Sequence, residues 1–297
     1  MYDVVVIGNP SFFLVDGIPS LSGPSVYSAT AAAKLGIEQL AILGSLDTER
    51  TNQFVTTLDS LDIPEYYLIE DNGGKTWRIE YGLENEKIVE FLGFTQRIRI
   101  RDIPDEFLQA RAILLCPSLQ EIDSELIEWI CNTSDSIVFL NPQLQTVAAD
   151  GRLKTISELN LMEKTHCVLD VIQPNERDSL LITGESDPFL AAELLVEWAA
   201  ETCVITQGDK GSLIYDGNDF HIIPAFKTNS VDEMFAGSVY LSGFVSKYLD
   251  GKNLSECGAY GSSIASVKVE HKGLDFKINN SEIDQRYEQI SDAIKVR

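Results

Sequence analysis

The chain has 297 residues, 44% of them hydrophobic and 23% charged, with a formal net charge of −23. That make-up fits one large folded domain or two small ones; it argues against disorder, and no apolar run is long enough to span a bilayer. So acidic a surface repels phosphodiester backbones, which argues against nucleic acid as a partner.

The chain opens on Val4–Gly8, an apolar run that reads as a buried first strand. No basic region or small-residue cleavage site precedes it, so a signal peptide is not expected. Phe12–Val15 is a second strand candidate. Ser22 can cap a first helix, with Pro24 in its first turn and Gly36 after its last periodic residue. The small side chains of Ser28–Ala33 suit close packing on a sheet. Leu40–Leu43 continues the strands.

From Tyr66 to Arg101 the alternation of strand and helix signals breaks. Strand signals at Tyr66–Ile69, Thr76–Tyr81, Lys87–Phe91 and Gln96–Ile100 follow one another, with turn residues such as Asp71-Asn72-Gly73-Gly74 between them. A small added sheet, built from roughly 11–20 and 66–101 and placed as a lid, is the expectation. Arg97-Ile98-Arg99-Ile100-Arg101, read as a strand, puts three arginines on one face. That face is either solvated or turned towards an anion or a second copy; an exposed lid edge could pair two copies into a homodimer.

Beyond the lid the alternation resumes. Strands are expected at Ala112–Cys116, Ile137–Leu140, Cys167–Ile172, Cys203–Thr206 and Ser212–Tyr215, and helices at Asp123–Asn132, Pro188–Ala200, Glu233–Leu249 and Leu254–Val267. Short continuous apolar runs between helices predict an α/β fold around a mostly parallel sheet buried on both faces. No internal repeat or low-complexity tract appears.

The five cysteines, Cys116, Cys131, Cys167, Cys203 and Cys257, are odd in number, scattered and without a CxxC pair, as expected of buried thiols in a reducing cytoplasm. His166, His221 and His271 lack metal-ligand spacing, so a zinc site is not expected. No Gly-x-Gly-x-x-Gly follows the first strand and no Walker-type loop is present, which disfavours a dinucleotide-binding Rossmann enzyme and a P-loop kinase.

Five motifs fall in a telling order. They are Ser22-Gly23-Pro24-Ser25-Val26-Tyr27 leading to Leu35-Gly36, then Gly44-Ser45-Leu46-Asp47, then Pro174-Asn175-Glu176-Arg177-Asp178, then Thr206-Gln207-Gly208-Asp209-Lys210-Gly211, and last Asn229-Ser230-Val231-Asp232. In that order, and over almost the full length, the chain resembles the ribokinase-like (PfkB) carbohydrate kinases. The resemblance implies a three-layer α/β/α fold with a β-sheet lid. It also implies transfer of the γ-phosphoryl of ATP, with Mg²⁺, to a hydroxyl of a sugar or polyol, or alternatively of a nucleoside.

Residue roles follow from the same resemblance. Asp232 matches the base, and the N–H groups of Asn229, Ser230, Val231 and Asp232 match an anion hole at a helix N-terminus. The plainer reading of Asp232 is a helix N-cap. Thr206, Gly208, Gly211 and Asn175 would line the nucleotide site; a tight turn is the plainer reading of the first three. Asn175 and Asp178 match a pair that meets magnesium through water, or else a cap and its first turn. Asn9, Ser22, Gly23, Tyr27 and Asp47 would face the acceptor. A Tyr at position 27 suits the subset of the family that includes inositol and other polyol kinases; a more aromatic pocket suits a nucleoside base. Tyr27, Phe12 and Phe13 could equally just pack between lid and core.

The family's Gly-Ala-Gly-Asp signature is Asn-Ser-Val-Asp here, and β-branched Val231 resists the backbone angles that glycine reaches. This motivates a rival reading, a binding protein that kept the fold and lost turnover.

Overall fold

Alternate residues of the first strand divide the molecule in two: Val4 and Val6 belong to one hydrophobic core, Val5 and Ile7 to another. A strand that is apolar on both faces lies inside a sheet covered on both sides. The computed structural model describes residues 1–15, 18–47, 51–71, 77–81, 87–91, 97–119, 121–143, 145–147, 153–155 and 168–297.

The described strands are β1 (Val4–Ile7), β2 (Ser11–Val15), β3 (Ile18–Ser22), β4 (Leu40–Asp47), β5 (Glu65–Asp71), β6 (Trp77–Tyr81), β7 (Lys87–Phe91), β8 (Ala112–Leu115), β9 (Ile137–Leu140), β10 (Gln145–Val147), β11 (Leu153–Thr155), β12 (Leu169–Ile172), β13 (Ala200–Thr206), β14 (Ser212–Tyr215), β15 (Phe220–Ile223) and β16 (Lys295–Val296). The α-helices are α1 (Pro24–Lys34), α2 (Thr51–Ser60), α3 (Ser124–Thr133), α4 (Glu176–Thr183), α5 (Pro188–Trp198), α6 (Ala236–Leu249), α7 (Leu254–Val269) and α8 (Asn280–Ser291).

Ten strands form the central sheet in the order β16-β15-β14-β13-β12-β9-β8-β1-β4-β5. From β5 across to β13 neighbouring strands run parallel; β14, β15 and β16 continue antiparallel. Helices α1, α6 and α7 cover one face, where Tyr240, Leu241 and Phe244 of α6 meet Val6, Phe139 and Val171. Helices α3 and α5 cover the other, with Leu126, Ile130 and Leu195 against Ile7, Leu115 and Ile172. From β1 the chain builds outward through β4 and β5, then returns to add β8 on the other side of β1. That reversal makes a crevice at the carboxyl ends of β1 and β8, the usual ligand position in open α/β sheets.

Several expected elements shift. Tyr66–Ile69 is not a lid strand; it lies in β5, which pairs parallel with β4 at the edge of the main sheet. Arg97–Arg101 is not a strand. Arg97, Arg99 and Arg101 are exposed and Ile98 is buried along an irregular segment that ends in a 3₁₀ turn at Ile100–Asp102. Burying one isoleucine while solvating the arginines needs no ladder, so the alternation misleads here. Gln96 lies outside the described residues. Phe12–Val15 lies in β2, which pairs with β3 as a hairpin; β6 pairs with β7, and β2 packs against β6. Ser22 ends β3 and caps nothing. Gly23 takes the cap position of α1 with φ at 108°, a backbone that a serine resists. Ala200 opens β13 instead of closing α5.

Among the described residues Cys116, Cys131, Cys203 and Cys257 are free. Burial pushes the Cys116 thiol up to about 12. Cys167 and His166 lie outside the described residues. No described helix is long and apolar enough to cross a membrane.

Candidate active site

Two of the motifs meet at the carboxyl ends of β12 and β13. The Thr206 amide donates to Pro174 O at 3.0 Å, and Asn175 and Thr206 form an isolated parallel bridge. Asn175 caps α4, its Oδ1 accepting from the Asp178 amide at 2.8 Å. Its Nδ2 donates to Asp178 Oδ2 at 2.7 Å. Asn175 and Asp178 are thus turned towards each other. The β13–β14 turn is drawn to the same helix start by Lys210, whose Nζ lies 3.1 Å from Glu176 Oε1. Gly211 sits in that turn with φ at 100°, and a Cβ there would run into Ile223 O and stand 2.7 Å from the Ala225 amide.

Helix α6 starts beside these ends. Gln173 Nε2 donates to Gly237 O at 2.9 Å, and Asn141 Nδ2 donates to Gln173 Oε1 at 3.2 Å. A Cβ on Gly237 would stand 3.7 Å from Thr206 Oγ1. Asn141 and Gln173 follow β9 and β12 directly and are buried. Sequence reasoning passed over both; a polar residue ending a buried apolar run is the signal that could have found them.

Asp232 does not stand at the mouth of a helix. Helix α6 begins only at Ala236, and its cap position is Phe235, held in the left-handed region at φ 57°. The plainer expectation, an N-cap, therefore fails as well. Asp232 Oδ1 accepts from the Met234 amide at 3.0 Å, and Oδ2 accepts from the Gly273 amide at 3.0 Å. Lys268 Nζ lies 2.9 Å from Oδ2 and donates to Asp232 O at 2.7 Å. Burial alone would raise this carboxyl; the Lys268 ammonium and the two N–H groups outweigh it and hold it below its ordinary range.

The N–H groups expected of the anion hole also point elsewhere. Val231 N and Asp232 N both donate to Val269 O, at 2.7 and 3.0 Å. The Val231 side chain is exposed. With asparagine, serine and valine in place of small flexible residues, residues 229–232 run along the end of α7 and do not wind into α6. Upstream, Thr228 bonds Glu270, and Arg286 packs over the Phe226 ring at 4.7 Å while holding Glu270 at 2.9 Å.

The crevice beside β1 is built on a buried carboxylate. Glu121 accepts from the amides of Asn9, Ser118 and Leu119 at 3.0, 2.6 and 2.8 Å. Burial raises its carboxyl against the pull of those N–H groups. Asn9 is itself buried, and its Oδ1 accepts from the Ser45 amide at 2.7 Å. Ser22 and Tyr27 are buried too. A Cβ on Gly23 would meet Ser11 N at 3.2 Å and Ser118 Oγ at 3.4 Å. Tyr27 packs against Phe235 with ring centroids 4.9 Å apart, and Lys268 Nζ stands 5.4 Å from its ring centre. Asp47 ends β4 opposite Asp71 of β5; its side chain, like those of Phe12 and Phe13, lies outside the described residues.

Sequence reasoning passed over Glu121 and Lys268 as well; the Ser118-x-x-Glu121 spacing is the signal that could have found the first, while a lone lysine in a helix carries none. Among the described residues no group of three His, Cys, Asp or Glu side chains could hold a metal ion. The Asn175–Asp178 pair, closed on itself, fits contact with magnesium through that ion's waters better than direct ligation.

A doubly wound sheet with polar residues gathered at its carboxyl ends has the small-ligand crevice of the α/β class. The family model for the pfkB family of carbohydrate kinases matches residues 27–280. A cytidine kinase of Thermococcus kodakarensis is 29% identical over 272 residues, covering 88% of this chain and 94% of that one. A ribokinase of Haemophilus influenzae is 25% identical, covering 86% and 83%. In structure the chain is similar to ribokinase from Thermotoga maritima, with a TM-score of 0.77 at 21% identity over 97% of this chain and 100% of that one. The chain belongs to the pfkB family of carbohydrate kinases, and its fold is ribokinase-like.

Proposed function

We propose that the protein transfers the γ-phosphoryl group of ATP to a hydroxyl of a sugar, free or carried in a nucleoside. The observation that carries this reading is the meeting of Pro174–Asn175, the Thr206–Gly211 turn and the start of α6 at the carboxyl ends of β12 and β13. Support for the acceptor comes from two relatives matched over most of their length, called a cytidine kinase and a ribokinase. A sugar hydroxyl is common to both substrates.

ATP lies along the β13–β14 turn, against Thr206, Gly208, Gly211 and Asn175. Asn175 and Asp178 would hold the waters of a magnesium ion, which when bound would neutralise the charge of the phosphates. The positive end of α6, opening at Ala236 beside Thr206 and Gln173, faces the transferring phosphoryl. Asp232 accepts the proton of the acceptor hydroxyl as its oxygen bonds to the γ-phosphorus and the bond to the β-phosphate oxygen breaks, releasing ADP. Asn9, Ser22, Gly23 and Asp47 border the acceptor crevice, with Tyr27 behind them. The β2–β3 and β6–β7 hairpins serve as the lid.

A second reading has its own observation. The carboxylate of Asp232 is already bonded, and the amides of Val231 and Asp232 are spent on Val269. A protein so arranged could bind ligands without turning them over. ADP release with Mg-ATP across a panel of sugars, polyols and nucleosides tests both. Acceptor-dependent release supports the kinase; ATP binding without release on any acceptor supports the binding protein.

A further inference from the structure

We propose that Lys268 is the positioning residue of the Asp232 site: from α7 its ammonium group fixes both the carboxylate and the main chain of Asp232. This assignment rests on Asp232 being the proton acceptor, and it adds the group that holds that acceptor in place.

Geometry carries the assignment first. Lys268 Nζ is 2.9 Å from Asp232 Oδ2 and 2.7 Å from Asp232 O, so one donor grips the side chain and the backbone of the same residue. Such a double hold removes freedom from the carboxylate that a single contact would leave. Burial carries it second. The Lys268 side chain is 0% exposed. A fully buried lysine keeps its charge only where that charge is paired. Its neighbours in α7, Val267 and Ser266, are the small or apolar residues that a helix packed on a core would otherwise use throughout.

The surroundings set the reach of the ammonium. Tyr27 of α1 faces it with its ring at 5.4 Å, and Phe235 backs that ring. Val269 O, one residue beyond Lys268, receives the amides of Val231 and Asp232. Asp232 is therefore registered on the end of α7, while α6, the helix that follows it in sequence, begins four residues later. Lys268 of α7 is bonded to the carboxylate and Tyr27 of α1 faces the same ammonium; Glu233 is next to Asp232 in sequence, and Glu270 and His271 follow the end of α7, with Glu270 held by Arg286 of α8. Of these, Lys268 is the cation bonded to the carboxylate.

The test uses the full chain with Lys268→Met and Lys268→Arg. The readout is a ¹³C NMR titration of the Asp232 carboxyl, assigned by its absence in Asp232→Asn. The titration midpoint is expected to rise in Lys268→Met and to fall back towards wild type in Lys268→Arg. A lysine that held only the main chain, without acting on the carboxylate, would lower stability without moving it. An unmoved midpoint in Lys268→Met would overturn the assignment. If Lys268→Met does not fold, the wild-type titration decides: a midpoint below the ordinary Asp range supports the hold, and an ordinary one overturns it. The titration needs no turnover. A shifted midpoint in a protein with no acceptor would sink Asp232 as the base and leave the Lys268 hold standing. Where an acceptor is found, the acid limb of the kcat–pH profile is expected to move upward in Lys268→Met.

Discussion

The buried ammonium of Lys268 and the carboxylate of Asp232 lie 2.9 Å apart, and the lysine also donates to the main-chain oxygen of Asp232. Residues 36 positions apart in sequence are thus joined where the site needs a fixed charge. Removing one partner of so buried a pair leaves the other uncompensated. Lys268→Met should destabilise the fold by about 3 kcal/mol in urea denaturation, at the low end of buried pairs because Asp232 keeps some solvent.

The same pair gives stability a direction with pH. Asp232 titrates lower in the folded chain than in the unfolded one, so acid drives protons onto the unfolded state. Its contribution is complete above the ordinary Asp value of about 3.9. It is lost as pH falls from there through the folded value. Urea midpoints measured from neutral pH down to pH 3 should fall for wild type, and more shallowly for Asp232→Asn.

Gly211→Ala should be among the costliest single changes. The backbone there is left-handed, and the added methyl meets Ile223 O and the Ala225 amide. A strained backbone alone costs about 1–3 kcal/mol, and the collision adds to it. Thermal melts should show a clear drop, with a raised KM for ATP if the turn lies against the nucleotide.

Glu121→Ala would strand two buried amides, those of Asn9 and Leu119, and the partly buried amide of Ser118. At roughly 1–3 kcal/mol for each buried unsatisfied group, a loss of at least about 2 kcal/mol is expected. Glu121→Gln keeps an acceptor oxygen and should lose less. Equal losses in the two variants would show that the amides find other partners.

What was legible in the sequence follows from what each residue needs locally. Val4–Ile7, Ile137–Leu140 and Ser212–Tyr215 stand where their apolar runs placed them, because a strand buried on both faces carries its own signal. Asp123 and Pro188 likewise marked the starts of α3 and α5. Arg97–Arg101 misled because period-two alternation fits an extended surface segment as well as a strand. The start of α6 misled because Asp-Glu-Met-Phe carries helix-start chemistry, while tertiary bonds from Lys268, Val269 and Gly273 hold Asp232 and Val231 out of the helix. Lys268 was silent because the fold brings its partner Asp232 from 36 residues away, whereas Glu121 bonds two near neighbours, Ser118 and Leu119, and only its third partner, Asn9, is brought by the fold.

The most direct measurement is transfer of labelled γ-phosphate from Mg-ATP to the acceptor panel, by wild type and by Asp232→Asn, with ATP binding followed in both. The account predicts transfer to a sugar or nucleoside hydroxyl by wild type, a loss of about 10²–10⁴-fold in Asp232→Asn, and equal ATP binding. Equal transfer by the two proteins would contradict it, as would ATP bound by wild type with no transfer to any acceptor.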